Sequence, residues 1–248
     1  MNIKAPIRFG TGLFAGLLLG IGTVVGASEY DQTIEKDFRV NTGGKLIVQA
    51  DRGSIELKSD SGDKIHVRVL RHVKGGSQAQ ADELFANHEV TFSQDGNTLS
   101  VTGRSKKDRV RIRPPSLQVR YEISLPRRFD VDLKTSGGDI RLGELDGSAF
   151  TRTSSGAIDL GTISGRVESS NSGGDIVVAH AGGDLVARTS SGGIKVRKAS
   201  GKVEASNSGG DIRVDEAGKD VVASTSSGSI TLKSVQGGVA AKNSRSSL

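Results

Sequence analysis

Apolar residues recur with a period of 18 between Thr135 and Lys242, in two short runs per period and at alternate positions within each run. The first run aligns Ile140, Ile158, Ile176, Ile194, Ile212 and Ile230, each followed two residues on by Leu142, Leu160, Val178, Val196, Val214 or Leu232. The second aligns Ala149, Val167, Leu185, Val203, Val221 and Val239, followed by Thr151, Ser169, Ala187, Ala205, Ala223 and Ala241. Spacing of two is strand spacing, because successive side chains point to opposite faces of a sheet. Each unit therefore reads strand, turn, strand, turn. Ser-Gly pairs mark one turn, and Gly147, Gly165, Gly183, Gly201 and Gly237 mark the other, with Gly218 displaced by one.

Two short strands cannot bury a core alone, but copies stacked about 4.8 Å apart bury a continuous column of Ile, Val and Ala. Six copies follow one another without insertion. No proline follows Pro126, as expected where nearly every backbone N–H donates to a neighbouring coil. The predicted fold is all-β: a parallel β-solenoid, right-handed by the crossover preference. The coil length is 18 or 36, since the copies alternate in kind. Asp139, Asp175 and Asp211 share a position with Ala157, Gly193 and Ser229. A 36-residue coil would stack the aspartates directly on one another, and like charges so placed repel. The pattern favours 18.

Residues 28–134 are a less regular, β-rich entry and cap region. Leu46, Val48 and Ala50 alternate, and Gly53-Ser54-Ile55-Glu56-Leu57 echoes the start of the later copies, which reads as a degenerate first coil. Ile65, Val67 and Val69 read as a strand. Ser77-Gln78-Ala79-Gln80 is a capping-box pattern opening a helix over about 77–87, with Ala81, Leu84, Phe85 and His88 on one face. Val90 and Phe92, then Leu99 and Val101, flank Asp95-Gly96-Asn97 as a hairpin. Helix and hairpin, inserted near the N-terminal end, are expected to cap the column. A strand from Leu117 to Leu125 ends at Pro126, and Phe129, Val131 and Leu133 lead into the first full copy. Asn243-Ser244 begins a truncated seventh copy, residues 243–248.

The segments Tyr121-Glu122-Ile123-Ser124-Leu125-Pro126 and Val131-Asp132-Leu133-Lys134-Thr135-Ser136-Gly137-Gly138-Asp139-Ile140 resemble a bacterial β-strand-repeat family of unknown function that carries an adhesin label. The resemblance extends from about Lys45 to the C-terminus. It implies a cell-envelope or surface role and no catalytic residues.

Residues 1–27 have the form of a secretory signal. Lys4 and Arg8 precede an apolar stretch, and Val25-Gly26-Ala27 offers small residues for cleavage. The alternative is an uncleaved anchor, since Phe9–Ala27 contains no charge. Without cysteine the chain can be neither a lipoprotein nor disulfide-bonded. No translocator barrel or hydrophobic tail follows the repeats, so the periplasm is the expected compartment, with secretion or the cell surface second. An uncleaved leader would instead tether the protein to the inner membrane. The net charge of +6 falls to +4 without Lys4 and Arg8, too mild for a nucleic-acid binder.

The densest charge cluster is Arg104, Lys106, Lys107, Arg109, Arg111 and Arg113, diluted by Asp108. It reads either as a solvated connection between strands or as a site for an anionic envelope component. Asp139, Asp175 and Asp211 superficially suggest a polysaccharide-active β-helix enzyme, but they recur within a turn motif, which predicts turn capping by the carboxylate. Asn171, Asn207 and Asn243 are expected to hydrogen-bond within turns. His66, His72, His88 and His180 lack metal-ligand spacing and read as surface or boundary residues. There is no tryptophan, and Phe150 is the only aromatic residue of the repeats, which handicaps sugar recognition. The expectation is a non-enzymatic envelope scaffold or adhesin with no cofactor or metal. Its partner would be an anionic lipid, glycan or protein, and self-association through the final coil is open.

Overall fold

The computed structural model describes residues 28–106 and 115–244. The expected leader, the centre of the basic segment and the last four residues lie outside this range. The chain opens with β1 (Glu29–Arg39), β2 (Gly44–Ala50), β3 (Ser54–Asp60) and β4 (Lys64–Lys74), followed by α1 (Gln78–Asn87). Then come β5 (His88–Asp95), β6 (Thr98–Ser105), β7 (Ser116–Pro126), β8 (Phe129–Thr135) and β9 (Ile140–Leu142).

The repeats lay down strands in two sheets alternately. One sheet receives β11 (Ile158–Ile163), β13 (Ile176–Ala181), β15 (Ile194–Ala199), β17 (Ile212–Ala217) and β19 (Ile230–Val235). The other receives β10 (Ala149–Ser155), β12 (Val167–Gly173), β14 (Leu185–Ser191), β16 (Val203–Gly209), β18 (Val221–Ser227) and β20 (Val239–Asn243). The first sheet has the order β1-β4-β7-β3-β9-β11-β13-β15-β17-β19, and the second β5-β6-β2-β8-β10-β12-β14-β16-β18-β20. Ten strands at about 4.8 Å spacing make a stack roughly 43 Å long between its end strands.

Parallel pairing joins each residue of the repeats to the one 18 places away: Ile158 to Ile176, Ile176 to Ile194, Val167 to Leu185. The coil is therefore one repeat, as the aspartate alternation predicted. Ile140, Ile158, Ile176, Ile194 and Ile212 are buried and form one wall of the column. Val167, Leu185, Val203 and Val221 form the other. Where the second wall carries hydroxyls, Thr151 and Ser169 hydrogen-bond to each other inside (2.8 Å), which satisfies both.

The helix and hairpin appear where expected. Ser77 Oγ accepts from the Gln80 N–H, the Gln80 side chain accepts from the Ser77 N–H, and Ala81 and Phe85 are buried. β5 and β6 pair antiparallel around Gly96. Two features differ from expectation. The coil made by β2 and β3 is not the end of the stack. It lies between β6/β7 and β8/β9, with Leu46 paired to both Leu99 and Val131, and Ile55 to both Tyr121 and Ile140. In addition, β1 was not legible as a strand. It pairs antiparallel with β4, which pairs antiparallel with β7, so β4 runs against the direction of the solenoid and β1 returns along it.

Candidate functional site

The basic segment leaves the second sheet at β6 and enters the first at β7. Arg104 and Lys106 are exposed, Arg104 opposite Glu89 in the register, and Lys106 Nζ lies 3.9 Å from a Glu89 oxygen. Lys107, Arg109, Arg111 and Arg113 lie outside the described residues.

The recurring aspartates are structural. Each lends one carboxylate oxygen to the next coil: Asp139 Oδ1 accepts from the Ala157 N–H (2.9 Å), Asp175 from Gly193 (2.7 Å) and Asp211 from Ser229 (2.8 Å). In all three the partner position holds a small residue, and the carboxylate sits against its backbone. The bond from Ser229 lowers the pKa of Asp211, because its acceptor is the ionised form. A second aspartate row, missed in the sequence, does the same at the opposite turn. Asp130, Asp184 and Asp220 accept from Ser148, Lys202 and Gly238 (2.7, 2.9 and 2.7 Å).

A third row lies inside, except at its exposed last member, Asn243. Thr153, Asn171, Thr189, Asn207, Thr225 and Asn243 each donate to the carbonyl of the glycine 15 residues earlier, at 2.7–3.3 Å. Those glycines, Gly138 to Gly228, all have φ between +112° and +134°. A backbone so turned points its carbonyl inward, where the Thr or Asn side chain satisfies it. The expected turn role of the asparagines is thus a buried ladder shared with threonine.

The histidines divide. His66 and His72 sit on the outer face of the cap, with Nδ1 2.7 Å from Asp37 and 2.8 Å from Asp31 respectively. The His66 bond holds the Asp37 carboxyl below its usual range. His180 approaches Ser200 (3.4 Å). His88 departs from the surface reading, being only 2% exposed. Its Nε2 lies 3.5 Å from the Tyr121 hydroxyl and 3.7 Å from Asp51 Oδ1. Arg71 Nη1 donates to the carbonyls of Phe85 and His88 (2.9 and 2.7 Å), tying α1 and β5 to β4. The hint in the sequence was His88 sharing a helix face with Ala81, Leu84 and Phe85.

Burial pushes the His88 imidazole down to about 4, with Asp51 opposing the shift and Arg71 adding to it. The folded protein thus refuses a proton that the unfolded chain accepts near pH 6.5. Stability is complete above pH 6.5, falls as the pH drops toward 4, and loses nothing further from this group below that. The loss is at most about 3 kcal/mol. Urea melts between pH 7 and 4 are expected to show it, and His88→Gln is expected to flatten that slope. A parent whose stability is constant over this range would contradict the assignment.

An open hollow of about 310 Å³ over β3, β4 and β7 is lined by Glu56, His66 and Glu122 among others. Its carboxylates are paired, Glu56 with Lys58 (3.4 Å) and Glu122 with Arg68 and Arg120 (3.7 and 3.8 Å). No group of three or more His, Asp or Glu side chains positioned to hold a metal occurs among the described residues. No helix among them is long and apolar enough to cross a membrane.

A family model described as Toastrack DUF4097 matches residues 43–247. No curated protein matches the sequence. The chain is similar to the crystal structure of a candidate adhesin from Bacteroides fragilis NCTC 9343, at 19% identity over 86% of this chain and 97% of that one (TM-score 0.45). It is similar also to a candidate cell adhesion protein from Clostridium sporogenes ATCC 15579, at 10% identity over 86% and 100% of the two chains (TM-score 0.34). A candidate lipid-binding protein from Parabacteroides distasonis ATCC 8503 is similar at 16% identity over 85% and 96% (TM-score 0.34).

Proposed function

This chain belongs to the Toastrack DUF4097 family, and from that premise we propose that it is an exported, non-enzymatic envelope protein whose rigid column presents a binding surface. The observation that carries this reading is the use to which the recurring polar residues are put. Both aspartate rows and the Thr/Asn row spend their hydrogen bonds on the backbone of adjacent coils, which stiffens the stack and leaves no repeated acid free to act on a glycosidic bond. Glycoside hydrolysis in its usual form needs two such acids across one cleft, and the recurring ones are engaged at turns.

The surface most suited to a ligand is the basic segment 104–113, with six positive charges against one negative. Along the repeats, opposite charges interleave, as in Arg141 with Asp139 (2.7 Å) and Lys198 with Glu216 (3.2 Å). Their fields cancel beyond a Debye length of about 8–10 Å. Each basic residue near an anionic membrane surface is worth about 1 kcal/mol, so several together give salt-sensitive binding.

The test is co-sedimentation with phosphatidylglycerol vesicles at low salt, using protein recovered from its host envelope and sequenced at its N-terminus. The parent is expected to begin at Ser28 and to pellet with the vesicles. A triple variant, Arg109→Ser, Arg111→Ser and Arg113→Ser, is expected to stay in solution with an unchanged melting temperature. A parent that ignores the vesicles would overturn the anion reading, and an intact Met1 would replace cleavage by membrane anchoring.

A further inference from the structure

The two ends of the column are built differently. At the N-terminal end the edge strand β1 carries Glu29, Asp31, Glu35, Lys36, Asp37 and Arg39, and α1 packs near β1, β4, β5 and β7. Charged edge strands and a covering helix are the usual means of preventing strand addition. At the other end no helix covers the edge among the described residues, and each end strand carries only one charge, Lys233 on β19 and Lys242 on β20. β19 and β20 each pair on one side only, with β17 and β18. They contain no proline and no acid, and their register continues the ladder without a bulge. The inward positions are Ile230, Leu232 and Val235 on β19, and Val239 and Ala241 on β20. Their counterparts one coil back, Ile212, Val214, Ala217, Val221 and Ala223, are buried. Among the described residues nothing covers these positions, with Val239 55% exposed and every residue of β20 exposed.

We propose that this open end is a dimer interface that takes the same end of a second copy. The occupant must supply two strand edges at once, about 10 Å apart, with apolar side chains between them. A single extended peptide supplies one and leaves the other edge and half the apolar surface open. The end coil of another molecule has both edges at the right separation and the same inward residues. The pairing direction also fits. The chain doubles back through Gln236–Gly238, so β19 and β20 run in opposite senses, and a two-fold axis perpendicular to the column, lying either along the strands or across the two sheets, sets each outer edge against an antiparallel partner. Such an interface is isologous and closes at two copies. Head-to-tail addition would instead require the charged, helix-covered end to accept a coil. The ionisable groups on these two strands are Lys233, already paired with Asp215 (3.1 Å), and Lys242, so no like-charge carboxylates meet. An interface one coil wide buries on the order of 1,000 Å², the small end for specific complexes, so dissociation on dilution is expected.

Sedimentation velocity of the purified protein over a dilution series tests this. The parent is expected to pass from dimer to monomer. Val239→Glu, which points a charge into the interface from a strand already exposed in the monomer, is expected to weaken association roughly a hundredfold or more with an unchanged circular dichroism spectrum. Thr231→Glu, outward-facing on the other end strand, β19, is expected to dimerise like the parent. Hydrogen exchange gives a second readout, with amides of 230–243 slowing as concentration rises. A parent that remains monomeric at every concentration overturns the proposal, including one whose tail shields those amides. A dimer indifferent to Val239→Glu, or an open-ended polymer, overturns it as well.

Discussion

Replacing Ile194 with aspartate is expected to abolish cooperative folding, while the same change at the next residue, Lys195, is expected to leave it intact. Ile194 is 1% exposed and stacked between Ile176 and Ile212, whereas Lys195 points outward from the same strand. Aspartate at 194 must enter the column ionised or take up a proton. Either route buries a polar group with no partner, at a cost of several kcal/mol beyond the lost apolar contact. A net stability of about 5–15 kcal/mol leaves little to absorb it. Ile176→Asp places the same charge between Ile158 and Ile194 and carries the same expectation. Thermal melts followed by circular dichroism decide the matter. A variant of either isoleucine that melts like the parent would mean the column is not the core.

Gly156→Ala is expected to be strongly destabilising for a change of one methyl group. Gly156 has φ +113°, and a Cβ there would lie 2.5 Å from the carbonyl carbon and oxygen of Gly138 in the coil below. A side chain at such a φ costs about 1–3 kcal/mol. The clash adds a similar amount, because the neighbour is backbone that cannot rotate away. The carbonyl of Gly156 also receives the Asn171 side chain at 2.7 Å, so a shift of the turn disturbs the internal ladder. A loss of about 3 kcal/mol in urea unfolding is expected. Gly137→Ala is the control: it has no positive φ, and a Cβ added there would meet nothing within 4 Å, so a change of at most about 0.5 kcal/mol is expected. Equal effects at the two glycines would mean that the Gly138–Gly228 row is not the tight side of the coil.

The site was legible unevenly. The basic run from Arg104 to Arg113 stands out because charge density is a local property of sequence. The turn role of Asp139, Asp175 and Asp211 was readable from their recurrence in a turn motif beside Gly138, Gly174 and Gly210. Asp130, Asp184 and Asp220 were hidden because their row also contains Ser148, Arg166 and Lys202, so the aspartates recur at no regular interval. The buried group of His88, Tyr121, Asp51 and Arg71 draws on β2, the turn after it, β4, β5 and β7, and no spacing in the chain announces that meeting.

The repeats themselves were determined by sequence alone. In a solenoid the spatial neighbour of residue i is residue i ± 18, so the period of the chain is the translation of the structure. Alternation within a period then assigns each side chain to the column or to solvent. That rule fails where the period fails. Residues 28–134 contain strands with suitable inward faces, such as Leu46-Ile47-Val48 and Leu99-Ser100-Val101, but nothing in their order along the chain says which will be adjacent. The fold inserts β2 and β3 between β6/β7 and β8/β9 and turns β1 and β4 antiparallel. This gives every interior strand two partners and places the charged strand β1 at the outer edge. The choice belongs to the tertiary structure, because long-range burial and the pairing of backbone N–H and C=O groups decide it, and both depend on residues far apart in the chain.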